Sequence, residues 1–343
     1  MVPPEVGMIR LASGPNPIDP SLSLALKLSS LEIKDFSPNM SAHQLEDDSQ
    51  QDNKVSKLKS ALGPLSGHSL VFCSDASLRR YLDARSWNVE NAKQMIEETL
   101  KWRSTYKPHE IPWHEVAHEG ETGKVSRASF HDRQGRTVLI MRPGLQNSHM
   151  YICLSTNIVN QNTTSAEGNI RHLVYLLENA IINLPKGQEQ MSWLIDFTGW
   201  SMANNAPMKT TRDIIYILQN HYPERLGMSF LYNPPRLFQA GYKAVKYFLD
   251  PRTAQKVNFV YPKDKASDEL MRSHFDMENL PKEFGGEATL EYDHEEFSRQ
   301  MFEDDLKTAK FWGLEQKQYP IPNGFSPADV VREPATSLAS VAN

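Results

Sequence analysis

The alternation of apolar and polar positions is most informative between Tyr222 and Lys256. Met228 to Tyr232 is an aromatic-rich apolar run of strand length. Asn233-Pro234-Pro235 then breaks the backbone, because each proline ring fixes φ and pushes the preceding residue out of the helical region. Beyond the break, Leu237, Phe238, Gly241, Tyr242, Val245, Phe248 and Leu249 recur at helical spacing, with Lys243 and Lys246 between them. Asp250-Pro251 stops that helix, and Val257 to Tyr261 is a second apolar run. Strand, proline hinge, amphipathic helix and strand is the layout of a right-handed crossover in a mostly parallel sheet. The helix has two readings: a plain cover for the sheet, or an element that swings on its hinge.

The remaining pattern extends this layout in both directions. Leu58, Leu62 and Leu65 predict a short helix and turn beginning near Lys54. Ser74-Asp75 and Asn88 have the chemistry of helix caps. Leu78, Tyr81 and Leu82 follow the first cap, and Ala92, Met95, Ile96, Thr99, Leu100 and Trp102 follow the second. Lys124 to Phe130 and Thr137 to Met141 flank the turn signal Asp132-Arg133-Gln134-Gly135, so they read as paired β segments. Gly168 to Asn183 and Met208 to His221 have helical spacing, with a buried-strand run, Met191 to Phe197, between them. Strands alternating with helices indicate an α/β layer fold.

Composition narrows the function classes. The chain of 343 residues carries 14 Phe, 12 Tyr and 6 Trp, enough aromatics for a sizeable core. Two cysteines, Cys73 and Cys153, argue for a reducing compartment and against a disulfide or zinc framework. No apolar run approaches the ~18 residues that span a bilayer, and the N-terminus lacks the basic-then-apolar layout of a signal peptide. Residues 1–53 hold eight acidic and three basic side chains, which leaves the remainder balanced at 34 of each sign. That balance excludes the basic surface of a nucleic-acid binder. The stretch HEGETGK (118–124) fails as a phosphate loop, because the first glycine is missing and Val125 stands where Ser or Thr would hold magnesium. No nucleophile elbow, His-Glu-x-x-His or glycine-rich dinucleotide loop is present, so the chain reads as no enzyme, without cofactor or metal.

Several quoted stretches together resemble the CRAL-TRIO lipid-binding family. They are YPERLG from Tyr222, NPP-LF from Asn233, FLD-T--K from Phe248, LPKEFGG (280–286), and the helical stretch SLRRYLDARSWNVENAKQMIEETLKWR (77–103). The family includes phosphatidylinositol-transfer proteins of the secretory pathway and carriers of tocopherol and retinal. The resemblance covers roughly residues 70–290. It implies a small helical domain (54–108) before an α/β lipid-binding domain (111–290) with a mostly parallel sheet and a mobile gate helix. An acidic disordered leader (1–53), a C-terminal helical extension (291–320) and a flexible tail (321–343) complete the expected organisation.

The chemistry of a lipid carrier sets what the site must supply. Two acyl chains hold roughly 30 methylenes, worth on the order of 25 kcal/mol of transfer free energy at about 0.8 kcal/mol each. Only a closed apolar cavity with a movable lid matches that. An inositol-phosphate headgroup further needs a cation for its phosphate and acceptors for its hydroxyls. The resemblance implies that Arg85 and Lys256 hold the phosphate, Thr253 donates a hydroxyl bond, and Glu224 accepts from the ring. The competing reading is a salt-bridge cluster tying strand ends to the helical domain. Leu237, Phe238, Tyr242, Val245, Phe248 and Leu249 are the expected gate and membrane residues, and Leu139, Met191 and Trp193 the expected cavity lining.

This chain departs from the family pattern at five positions. Ser86 stands where the phosphatidylinositol-transfer members have a Lys just after the equivalent of Arg85. Met191 and Trp193 stand where the choline-lipid site has small hydroxyl residues, and Ala128 and Leu139 where it has tyrosines. A choline headgroup prefers aromatic faces and hydroxyl partners, so the second ligand is expected to be a different hydrophobic molecule lying against Trp193, unless Trp193 is ordinary sheet core. The expected partners are phosphatidylinositol, a second lipid and a membrane surface, for a monomer that is cytoplasmic and transiently membrane-associated. Two alternatives stay open: a carrier of a tocopherol-, sterol- or retinoid-like ligand, and a scaffold that presents lipid to a phosphoinositide kinase.

Overall fold

The computed structural model describes residues 43–145, 165–201, 208–236, 238–239 and 251–314. Among these, five strands form one sheet in chain order: β1 (Val125–His131), β2 (Thr137–Met141), β3 (Met191–Asp196), β4 (Leu226–Tyr232) and β5 (Val257–Val260). The β1–β2 pair is antiparallel, and β2–β3, β3–β4 and β4–β5 are parallel. The mostly parallel α/β layer read from the sequence is therefore the one observed. The β1–β2 turn closes where its residue types predict. Asp132 Oδ1 accepts from the backbone N–H of Gln134 and Arg136, both at 2.9 Å, and Gly135 takes a φ of +74°. Asp132 Oδ2 accepts from Ser192 Oγ at 2.6 Å, which fastens the turn to β3.

Register decides which side chains share a face. Leu139 pairs with Trp193, Trp193 with Ser229 and Ser229 with Val257, so these lie in one row across the sheet. Over that face pack the helices α6 (Ala166–Ile182) and α7 (Met208–His221), which bring Leu177, Ala180, Ile217 and Leu218 against Leu139, Met191 and Trp193. The opposite face presents Val138, Ile140, Leu194, Phe230 and Val260. It is covered by α9 (Lys265–His274) and the segment after it, through Met271, Phe275, Leu280 and Phe284.

Among the described residues, five helices precede the sheet: α1 (His43–Leu62), α2 (Gly67–Phe72), α3 (Asp75–Ala84), α4 (Val89–Tyr106) and, after a 3-10 turn at Pro108–Glu110, α5 (Trp113–Gly120). Ser74 and Asn88 cap α3 and α4 as their chemistry predicts, accepting from Ser77 N–H and Asn91 N–H. The first described helix starts at His43, inside the stretch expected as a disordered leader. Val55 and Leu58 bury against Leu78, Tyr81, Met95 and Ile96, and Asp52 pairs with Arg79, so this acidic run is not merely solvated. The C-terminal extension is helical over α10 (His294–Trp312).

The helical layer is tied to the sheet layer by a buried ion pair. Arg103 of α4 donates to both oxygens of Glu178 of α6, at 2.7 and 3.0 Å, and the Tyr222 hydroxyl donates to the same carboxylate at 2.7 Å. Burial alone would raise the Glu178 pKa, but the Arg103 guanidinium outweighs it and holds the carboxyl below its ordinary value.

Candidate functional site

The motif around Tyr222 turns sharply before it enters the sheet. Glu224 has a φ of +54° and Asn233, at the far end of β4, one of +52°. The conformation is costly for Glu224, whereas Asn adopts it readily because its short side chain bonds locally. Between β4 and β5 the chain returns through α8 (Pro251–Gln255). The sequence pattern marks Asp250-Pro251 as a stop. Asp250 and residues 240–249 before it lie outside the described residues, and Pro251 is the first residue of α8, the position where its missing N–H costs nothing. Thr253 thus sits on a helix and Lys256 just after it.

Lys256 Nζ donates to Glu224 Oε2 at 2.7 Å, with the two side chains 20% and 18% exposed. The adjacent Arg252 reaches the helical layer, where Nη1 donates to Asp83 Oδ1 at 2.7 Å and Nη2 to the Asp83 carbonyl at 2.9 Å. Asp83 lies two residues before Arg85, which caps the end of α3 and donates to the Ala84 carbonyl at 3.1 Å. The Asp83–Arg252 clamp therefore brings the segment carrying Arg85 to the segment carrying Thr253 and Lys256. Asp83 and Arg252 were not foreseen from sequence. Their only signal was proximity in the chain to Arg85 and Thr253.

The expected cavity lining divides. Leu139 and Met191 have no exposed surface, because Leu177 and Ala180 of α6 fill the space over them; they are sheet core rather than open wall. Trp193 is half-buried and keeps part of its surface. Its Nε1 and the Oγ of Ser229, opposite it in register, are buried without a partner among the described residues. Of the gate positions, Leu237, Tyr242, Val245, Phe248 and Leu249 lie outside the described residues. Phe238 is 4% exposed, packed 4.5 Å from the Phe197 ring and against Trp200 and Phe259. It anchors the hinge end in an aromatic cluster rather than facing outward. A cavity of about 280 Å³ lies elsewhere, between α3, α4 and the loop before β3, lined by Arg80, Arg103, Glu178 and Arg225 among others. It is too small and too charged for acyl chains. No helix among the described residues is long and apolar enough to cross a membrane.

Comparison with known proteins gives the same picture as the strand order. The model of the CRAL/TRIO domain matches residues 121–286. A CRAL-TRIO domain-containing protein of Schizosaccharomyces pombe is 33% identical over 224 residues, covering 65% of this chain and 20% of that protein. The phosphatidylinositol transfer protein PDR17 of Saccharomyces cerevisiae is 30% identical over 262 residues, covering 72% of this chain and 68% of its own length. The SEC14 cytosolic factor of Kluyveromyces lactis is 30% identical over 258 residues, covering 71% of this chain and 80% of its own. The chain thus spans only a fifth of the first of these relatives, but more than two thirds of the other two. With the helical layer, the mostly parallel sheet and these relatives together, the chain belongs to the CRAL/TRIO domain family.

Proposed function

We propose that the protein binds phosphatidylinositol, with its headgroup at Arg85, Glu224, Thr253 and Lys256, and carries or presents it between membranes without a catalytic step. The observation that carries this reading is the Asp83–Arg252 clamp, which sets Arg85 beside the segment holding Thr253 and the Lys256–Glu224 pair. One relative is named as a phosphatidylinositol transfer protein, which supports a lipid ligand here. A headgroup can open the Lys256–Glu224 pair because it offers each of the two charges a new partner. Its phosphate takes the Lys256 ammonium and the Arg85 guanidinium in charge-assisted bonds. The Glu224 carboxylate, released, accepts from ring hydroxyls.

The test is mass spectrometry of the lipids that co-purify with the wild type and with Lys256→Ala, beside thermal melts of both. Phosphatidylinositol in the wild type, lost in a variant that still melts within a few degrees, is the expected result. Its absence from both proteins would leave the four residues as a salt-bridge cluster. A second hydrophobic ligand beside Trp193 is favoured by one observation, the unpartnered Trp193 Nε1 and Ser229 Oγ on an otherwise apolar face. The same spectra would contain it.

A further inference from the structure

We propose that His68, His109 and Glu110 form a binding site for a divalent transition metal of the zinc class, at the junction of α2, the 3-10 turn and the end of α10. Two imidazole nitrogens and a carboxylate oxygen are a recurrent zinc donor set, with a water in the fourth position. One ligand atom from each of the three residues can be chosen so that all lie within 4.8 Å of one another. His68 Nδ1 and His109 Nε2 are 3.0 Å apart, and His109 Nε2 and Glu110 Oε1 3.9 Å. Ligands bound at ~2.0–2.1 Å in tetrahedral geometry sit roughly 3.3 Å from one another, so a small side-chain rotation closes the set.

The donors are held for this role by their surroundings. The Trp312 ring packs 4.6 Å from the His109 ring and 5.9 Å from the His68 ring, which restricts both imidazoles. Lys107 Nζ binds Glu110 Oε2 at 2.9 Å and leaves Oε1 turned toward His109. His68 is exposed, which opens the site to solvent on one side. The site also has a structural consequence. No residue of the six-residue helix α2 is buried, and Leu70 and Val71 are exposed. A metal would cross-link this weakly held helix to the 3-10 turn that packs against Trp312.

The experiment is calorimetric titration of tag-free, full-length protein with zinc chloride, alongside His68→Ala and Glu110→Gln, none of which requires a lipid. The expected result is one zinc per chain, with affinity at least about tenfold weaker in each variant. Cobalt should give the intense visible bands of a four-coordinate ion in the wild type only, and zinc should raise the melting temperature of the wild type but not of His68→Ala. Zinc binding of equal affinity in the wild type and His68→Ala, or no stoichiometric binding at all, would overturn the proposal. Either outcome is independent of whether phosphatidylinositol binds.

Discussion

Asp305 makes the stability of this protein depend on pH in a direction opposite to that of most buried carboxylates. It lies on α10, 3% exposed. Its Oδ2 accepts from the Trp113 backbone N–H at 2.7 Å and its Oδ1 from the Tyr175 hydroxyl at 2.9 Å. It thereby caps α5, whose own preceding residue, Pro112, offers no side-chain cap. Burial pushes its pKa up from 3.8 to about 7, with Asp304 adding to the rise and the two hydrogen bonds opposing it. The folded state therefore holds a proton that the unfolded chain has already released. The resulting stability is complete below the unfolded value and is lost as pH rises through about 7. Between about pH 5 and about pH 8 the loss spans roughly two pKa units, or ~3 kcal/mol at ~1.4 kcal/mol per unit.

Asp305→Asn removes the titration while keeping an acceptor for the Trp113 N–H. The Tyr175 hydroxyl retains the Met301 carbonyl at 3.3 Å. Urea unfolding of both proteins at the two pH values isolates the effect, because every other titrating group cancels in the difference. The stability of the wild type relative to the variant should fall by ~3 kcal/mol from the lower pH to the higher. Parallel pH curves would refute the reasoning and mean that Asp305 is ionised in the fold.

Three further outcomes are expected. Arg103→Ala strands the buried Glu178 carboxylate without its cation and should destabilise by about 4 kcal/mol, read as a large drop in the thermal midpoint. Gly286→Ala would drive a Cβ into the Leu280 carbonyl oxygen, a backbone atom that cannot step aside, so chemical denaturation should show a loss of roughly 2 kcal/mol. Arg252→Ala breaks a half-exposed clamp and should cost under about 1 kcal/mol of stability. Yet it should reduce co-purified phosphatidylinositol severalfold by freeing α8 from α3. Undiminished lipid in that variant would show that the clamp does not organise the site.

Features set by neighbouring residues were legible from the chain alone. The Asp132 turn and the paired segments on either side of it, the Ser74 and Asn88 caps, and the apolar runs of β3, β4 and β5 all follow from side chains acting within a few positions. Such interactions carry the same chemistry in any context. The charged residues at the strand ends could likewise be nominated, because Glu224 and Lys256 border apolar runs that must lie in the sheet. The tertiary structure alone decided which charges meet. Asp83 finds Arg252 across 169 positions and Trp113 N–H finds Asp305 across 192, while His68 finds His109 across 41. It also decided that Leu139 and Met191 are sealed beneath α6 while Trp193 is not, although all three alternate onto one face of the sheet. A period of two tells which face a side chain takes. What covers that face depends on how distant helices fill the space above it, and close packing leaves no local trace of that in the sequence.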